Sequence, residues 1–173
     1  RCRWKKHSKN AIIIVINKYK VEIQNSKTFI EKILGNKGGE ITQMTIDEIK
    51  KLIQNGEKID VEFKESKNAL TKDVFDTVCS FNNRNGGHIL LGINDKREIV
   101  GVSEDRVDKV IKEFTTSINN PQKIYPPLYL LPKVLEIDGK KVIYIRVPEG
   151  YQVCRHNGKI WDRSYEGDIN ITD

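Results

Sequence analysis

Cysteine, methionine and histidine are all sparse in this chain. The three cysteines, Cys2, Cys79 and Cys154, stand far apart, and no two form a Cys-x-x-Cys pair. That leaves neither a disulfide framework nor a zinc ribbon, and it points to a reducing compartment, the cytoplasm. His7, His88 and His156 also lack the spacing of metal ligands. Long apolar runs are missing too. The longest, Ala11–Ile16, falls far short of the ~20 residues of a membrane helix and is followed by no small-residue cleavage site. No membrane partner is therefore expected. Neither a G-x-x-x-x-G-K-[ST] loop nor a G-x-G-x-x-G turn occurs, so Gly86-Gly87 reads as a tight helix-to-strand turn rather than a phosphate cradle. No local arrangement suggests a Ser-His-Asp site.

Charge is present, but its excess is confined. The 173 residues carry a net charge of +6. Residues 1–43 hold ten Lys/Arg and three Glu, a balance of +7; residues 44–173 hold twenty Lys/Arg and twenty-one Asp/Glu, a balance of −1. Bulk charge therefore says little about the partner of the main domain.

The two parts differ in other ways. Met44 is the single methionine, and a capping box, Thr45 with Glu48, follows it, with Met44 and Ile49 as the matching hydrophobic staple. Upstream, the sequence is rich in Lys, Ile and Asn. Lys37-Gly38-Gly39-Glu40 can be encoded as a bacterial ribosome-binding sequence just ahead of a start codon. The expectation is that residues 1–43 are translated upstream sequence or a fusion remnant. The alternative is a genuine strand pair, 11–16 and 19–24, followed by a helix over 26–34.

From Met44 onward the periodicities are legible. Ile46, Ile49, Leu52 and Ile53 predict a helix over 46–54, stopped at Asn55-Gly56. A strand is expected over 59–64 and a helix over 72–83, starting at Thr71. "HILLGI", 88–93, is a continuous apolar run of strand length and should be buried on both faces. "NDKR" then turns the chain into a strand over 98–102. Ser103 is expected to cap a helix to about 119, with Val107, Val110, Ile111, Phe114 and Ile118 inward. "NNPQKIYPP" breaks it. Asp138-Gly139 and Asn157-Gly158 mark two hairpins, "LYLLPKVLEI" with "KVIYIRV" and "YQVCRH" with "KIWDRS". The fold class is mixed α/β, with a central, partly antiparallel sheet and about three packed helices.

"GEKIDVEFKES", 56–66, crowds carboxylates and lysines around a short apolar run. Glu57 and Glu62 diverge by about 140° on a helix and lie on opposite faces of a strand. They converge only if Glu57 sits on a bend before the strand, which Gly56 allows. The alternative is a solvated strand entrance.

The series "EKIDVEFKES", "VCSFNNRNGGHILLGINDKREIVGV", "IYIRVPEG" and "NGKIWDRS" resembles the AlbA-like DNA-binding domain of the Schlafen superfamily over about 44–170. The resemblance implies a nucleic-acid-binding module, for DNA or RNA. In bacteria it implies the N-terminal module of a longer transcriptional regulator with ATP-binding and winged-helix regions. Lys64, Asn83, Arg84, Arg155 and Arg163 lie in or beside the motifs and are the candidate contacts. Trp161, Tyr151 and Tyr165 could stack on unpaired bases, or pack on a sheet face.

Some Schlafen members resemble metal-dependent endoribonucleases. Glu57, Glu62 and Asp95 match the carboxylates that would hold Mg²⁺ or Mn²⁺, activating water and offsetting charge on the scissile phosphate. Asn94-Asp95 also suits a plain turn. A third reading is a protein-interaction module docked on an ATPase. The sequence departs from the family at "FNNRNGG", where Ala-Asn-Thr is commoner; Asn83 keeps the matching amide. "WDRSYEGD" keeps Arg163 without the usual Arg-x-Gly ending.

Overall fold

The computed structural model describes residues 44–172. The expectations for residues 1–43 lie outside the described residues.

Helix α1, Ile46–Asn55, begins on its capping box. The Thr45 hydroxyl accepts from Glu48 N, while the Glu48 carboxylate accepts from Thr45 N at 2.7 Å. Those two bonds satisfy donors that a helix start leaves open. Gly56, at φ 79°, ends the helix, and the Ile49 and Ile53 side chains are buried.

Four strands form the central sheet: β1, Val61–Lys64; β2, Gly87–Leu91; β4, Lys133–Ile137; and β5, Lys140–Val147. Their order is β1-β2-β5-β4, with β1 parallel to β2 and the other pairs antiparallel. The parallel pair requires a crossover, and helix α2, Val74–Asn83, supplies it. The run at 88–93 is buried on both faces, as its composition predicts. Ile89 and Leu91 pack with α2 and with helix α3, Val107–Ile118. Leu90 and Ile93 pack on the other face with Ile49 and Ile53 of α1. Side chains of this size each stabilise the fold by about 1.5–3 kcal/mol when fully buried.

A second, antiparallel sheet has the order β3-β6-β7-β8: β3, Ile124–Tyr125; β6, Arg155–His156; β7, Lys159–Ser164; and β8, Gly167–Asn170. Its inner side completes the larger core through Ile124 and Cys154, with Trp161 packed against them. Both expected hairpin turns are present. Asp138 and Gly139 have φ 51° and 73°, and Asn157 and Gly158 have φ 49° and 78°. Positive φ at both central residues is the primed geometry that matches strand twist.

Three local expectations fail for identifiable reasons. The strand at 98–102 is reduced to isolated bridges, Ile93 to Ile99 and Val102 to Lys141. Val100 N and Gly101 N both donate to Gly92 O, and Gly101 has φ 75°, so the segment curls around Gly92. Ser103 caps nothing; its hydroxyl bonds Asn68 Oδ1 and a 3₁₀ turn, Glu104–Arg106, precedes α3. Helix α2 starts at Val74 rather than near Thr71, and the Asp73 carboxylate makes no cap bond to it. That carboxylate bonds Lys64 instead.

Candidate nucleic-acid interface

The central sheet and the second sheet meet at a run of charges that few sequence motifs would betray. Arg163 on β7 is 4% exposed. Its Nη2 lies 2.5 Å from Glu62 Oε2 on β1, and its Nη1 lies 2.9 Å from Asp168 Oδ1 on β8. The guanidinium carbon sits 5.0 Å from the centre of the Phe81 ring, within cation–π range. Asp168 Oδ2 accepts from the Thr77 hydroxyl at 2.6 Å. The other Glu62 oxygen accepts from Lys64 Nζ at 2.6 Å, and Lys64 continues to Asp73 Oδ2 at 2.7 Å. Burial opposes the charge on Arg163, but Glu62 and Asp168 outweigh it and raise the pKa. Burial likewise opposes charge on Lys64, and Asp73 and Glu62 raise its pKa above the ordinary lysine value. The network is a structural clasp between sheets.

The same contacts bear on the expected metal ligands. Both oxygens of Glu62 are engaged by cations. Glu57 lies before β1 as anticipated, but Glu57 Oε1 accepts from Phe63 N at 2.9 Å and serves the backbone. Asp95 is exposed in the turn after β2. Among the described residues, no three His, Cys, Asp or Glu side chains gather as a metal-holding group. Glu57, Glu62 and Asp95 are thus not gathered as a cage for Mg²⁺ or Mn²⁺. The residues do not fit the ion, and no catalytic step through it follows. The physical reason is that β1 directs Glu62 toward Arg163, a long-range partner invisible in local spacing.

Of the five proposed nucleic-acid contacts, four have internal partners. Lys64 and Arg163 belong to the clasp. Asn83, at the end of α2, donates to Cys154 O at 2.9 Å and Trp161 O at 2.8 Å, and accepts from Cys154 N at 2.6 Å. It pins β6 and β7 to the helix. Arg84 is half-exposed but holds Asp162 in a bidentate pair, at 2.6 and 2.8 Å. That pair lowers the Asp162 pKa. Arg155 remains at the surface. Gly86 and Gly87 form the tight turn the sequence suggests, closed by Gly86 N to Phe81 O at 2.8 Å. Trp161 packs inward against the larger core.

The exposed face of the second sheet has a different character. Tyr125 lies opposite Arg155, and Arg155 lies opposite Ile160, so the three side chains form one row across β3, β6 and β7. The neighbouring row runs from fully buried Ile124 through half-buried His156, whose ring bonds Asp76, to exposed Lys159 at the hairpin end. The Tyr125 row therefore faces outward. Ile160 also lines an open pocket of about 490 Å³ beside Arg84, Tyr151 and Val153, with the carboxylates Glu149 and Asp162 on its wall.

Sequence supplies a signal for this face that motif matching missed. Residues 114–135 and 150–161 contain Lys123, Lys133, Arg155 and Lys159 and no Asp or Glu. The two acid-free segments pair with each other through β3 and β6. They also carry Tyr125, Tyr129 and Tyr151, which are 62%, 83% and 106% exposed.

The family model for Schlafen AlbA_2 domains matches residues 57–171. The N-terminal domain of a protein related to the ATP-dependent DNA helicase RecG, from Nitrosomonas europaea, is 28% identical. That alignment covers 60% of this chain and 69% of that one, with a TM-score of 0.43. The DIP2311 protein of Corynebacterium diphtheriae is 16% identical with a TM-score of 0.50, over 73% of this chain and only 26% of that one. No curated protein matches. Among the described residues no helix is long and apolar enough to cross a membrane. The family match runs from Glu57, in the turn before β1, to Ile171, just past β8; it takes in both sheets, and the chain belongs to the Schlafen AlbA_2 family.

Proposed function

We propose that residues 44–173 act as a nucleic-acid-binding module, delivering a longer bacterial regulator to DNA. One observation carries this reading: two segments without carboxylates pair to form an outward face bearing Tyr125 and Arg155, and the same segments expose Lys123 and, on the neighbouring row, Lys159. A domain of nearly balanced charge gains a local basic footprint by this pairing. Phosphate binding releases condensed counterions, so a patch with three or four cations gives affinity that falls with salt. Family membership supports the same reading. An ATP-binding partner region and a winged helix belong to this proposal as parts of the longer protein.

The test is fluorescence anisotropy of labelled DNA and RNA, single- and double-stranded, over a range of salt. Affinity is expected to drop with a log–log slope shallower than about −4, because each neutralised phosphate contributes about −0.7 to −0.9. Arg155→Glu with Lys159→Glu should abolish most binding while the melting temperature stays put, since both side chains are exposed. Absence of binding to every nucleic acid at low salt overturns the proposal.

A further inference from the structure

We infer that the occupant of the Tyr125–Arg155–Ile160 row is an unpaired stretch of nucleic acid, with bases stacked on Tyr125 and Tyr151. The inference rests on the nucleic-acid reading above and specifies its substrate class.

The chemistry of the face favours unpaired bases over a duplex. In a duplex the bases already stack on one another, so exposed rings on a protein gain nothing from them. A duplex offers phosphates and groove edges, and its major groove admits a helix or a two-stranded ribbon. The row here crosses three strands and is a platform, not a probe. Single strands do offer bare base faces, and aromatic side chains over a basic track are how they are held. Tyr125 supplies such a ring beside the Arg155 guanidinium. Ile160 continues the surface toward the pocket, where Tyr151 supplies a second ring; there Asp162 neutralises Arg84 and Glu149 adds a negative charge, so stacking rather than phosphate contact is what that end offers.

The number of cations argues the same way. Lys123, Arg155 and Lys159 are the exposed cations of the paired acid-free segments, with Lys133 half-buried. Few phosphate contacts leave stacking a larger share of the affinity. Three of the four exposed tyrosines among the described residues lie in those two segments, against one elsewhere, Tyr165. Charge and aromatic surface therefore coincide.

The experiment compares full-length wild type with Tyr125→Ala, Tyr151→Ala and Tyr125→Phe. The probes are a labelled mixed-sequence DNA strand, the same strand annealed to its complement, and an RNA strand of the same sequence. Single strands should bind at least tenfold more tightly than the duplex. Each alanine variant should lose about five- to 150-fold on single strands, the worth of one base stacked on an aromatic ring, and change little on the duplex. Tyr125→Phe should retain the affinity, because the ring stacks without its hydroxyl. Both tyrosines are exposed, so the variants should melt like wild type. Equal affinity for strand and duplex, or alanine variants that bind single strands like wild type, overturns the inference while leaving nucleic-acid binding intact. No binding to any probe overturns both.

Discussion

Arg163 and Glu62, 101 residues apart in the chain, meet with Nη2 2.5 Å from Oε2 and so join the last hairpin to the first strand. Removing one member of a buried pair leaves the other charge without compensation, at a cost of about 3–5 kcal/mol. Arg163→Met should therefore lower the urea midpoint sharply. Adding Glu62→Gln and Asp168→Asn to that variant should restore part of the loss, because the orphaned charges are gone. If the triple variant is no more stable than Arg163→Met, the clasp is not an electrostatic unit.

Glu62→Gln alone bears on the metal question. If Glu62 were a metal ligand, the isostere would spare the fold and erase a divalent-metal effect. The contacts of Glu62 lead to the opposite prediction on both counts. Glu62 holds Arg163 and Lys64, so the amide should destabilise the protein. Wild type should melt at the same temperature in millimolar Mn²⁺, in Mg²⁺ and in chelator. A metal-dependent rise in melting temperature that Glu62→Gln removes would reinstate the carboxylate site.

Acid should weaken the fold through His88. The ring lies against Tyr144, Nδ1 2.8 Å from the hydroxyl. Burial first, and Arg146 second, lower the histidine pKa, while Asp60 opposes them. A lowered pKa means that the folded state resists a proton the unfolded chain accepts. The stability present above the ordinary value of 6.5 is thus lost as pH falls below it. The slope from this one group is at most about 1.4 kcal/mol per pH unit. Denaturant titrations between neutral and mildly acid pH should show the decline, and His88→Phe should flatten it. Identical pH slopes in the two proteins would remove His88 from the account.

Asn83 carries three hydrogen bonds to β6 and β7 through one amide. Asn83→Ala leaves Cys154 N and two carbonyls without their partner. Each unsatisfied buried group costs about 1–3 kcal/mol. Hydrogen exchange should accelerate first at β6 and β7, with the central sheet still protected. Uniform acceleration across both sheets would mean that the amide does not act locally.

Cys79 and Cys154 face each other, sulfur to sulfur at 2.8 Å, and neither is solvent-exposed. Hydrogen bonding to Cys154, and then burial, push the Cys79 thiol well above its ordinary pKa. The thiolate is the reactive form, so Cys79 should resist maleimide until the protein unfolds, and burial alone should shield Cys154. Peptide mapping of labelled native protein checks this. Rapid labelling at either position would contradict the packing.

What the sequence discloses is what short-range chemistry determines. Thr45 with Glu48 announces α1, Asp138-Gly139 and Asn157-Gly158 announce their hairpins, and the run at 88–93 announces a strand buried on both faces. All four depend on neighbours within a few residues. The second sheet is harder to read because β3 is two residues long and β8 exposes half of its side chains. Gly101 defeats the strand expected at 98–102, since its positive φ turns the segment back on Gly92. The charged site is harder still. Asp168 and Thr77 are separated by 91 residues, and nothing in either neighbourhood pairs them. Motif matching picked out Glu62 and Arg163 separately and could not foresee that they bind each other.

The clasp also orders events on the ribosome. Glu62 and Lys64 emerge about a hundred residues before Arg163 and wait as a local pair. All four strands of the central sheet are synthesised by Val147, ahead of β6, β7 and β8. Vectorial synthesis therefore allows the first sheet to assemble while Glu62 still lacks its arginine. Only when Asp168 leaves the exit tunnel can the guanidinium be neutralised from both sides. The nascent domain's second sheet stays unclasped until Asp168 has emerged, and chaperones would meet its inner side, with Ile124, Cys154 and Trp161, before the core covers it.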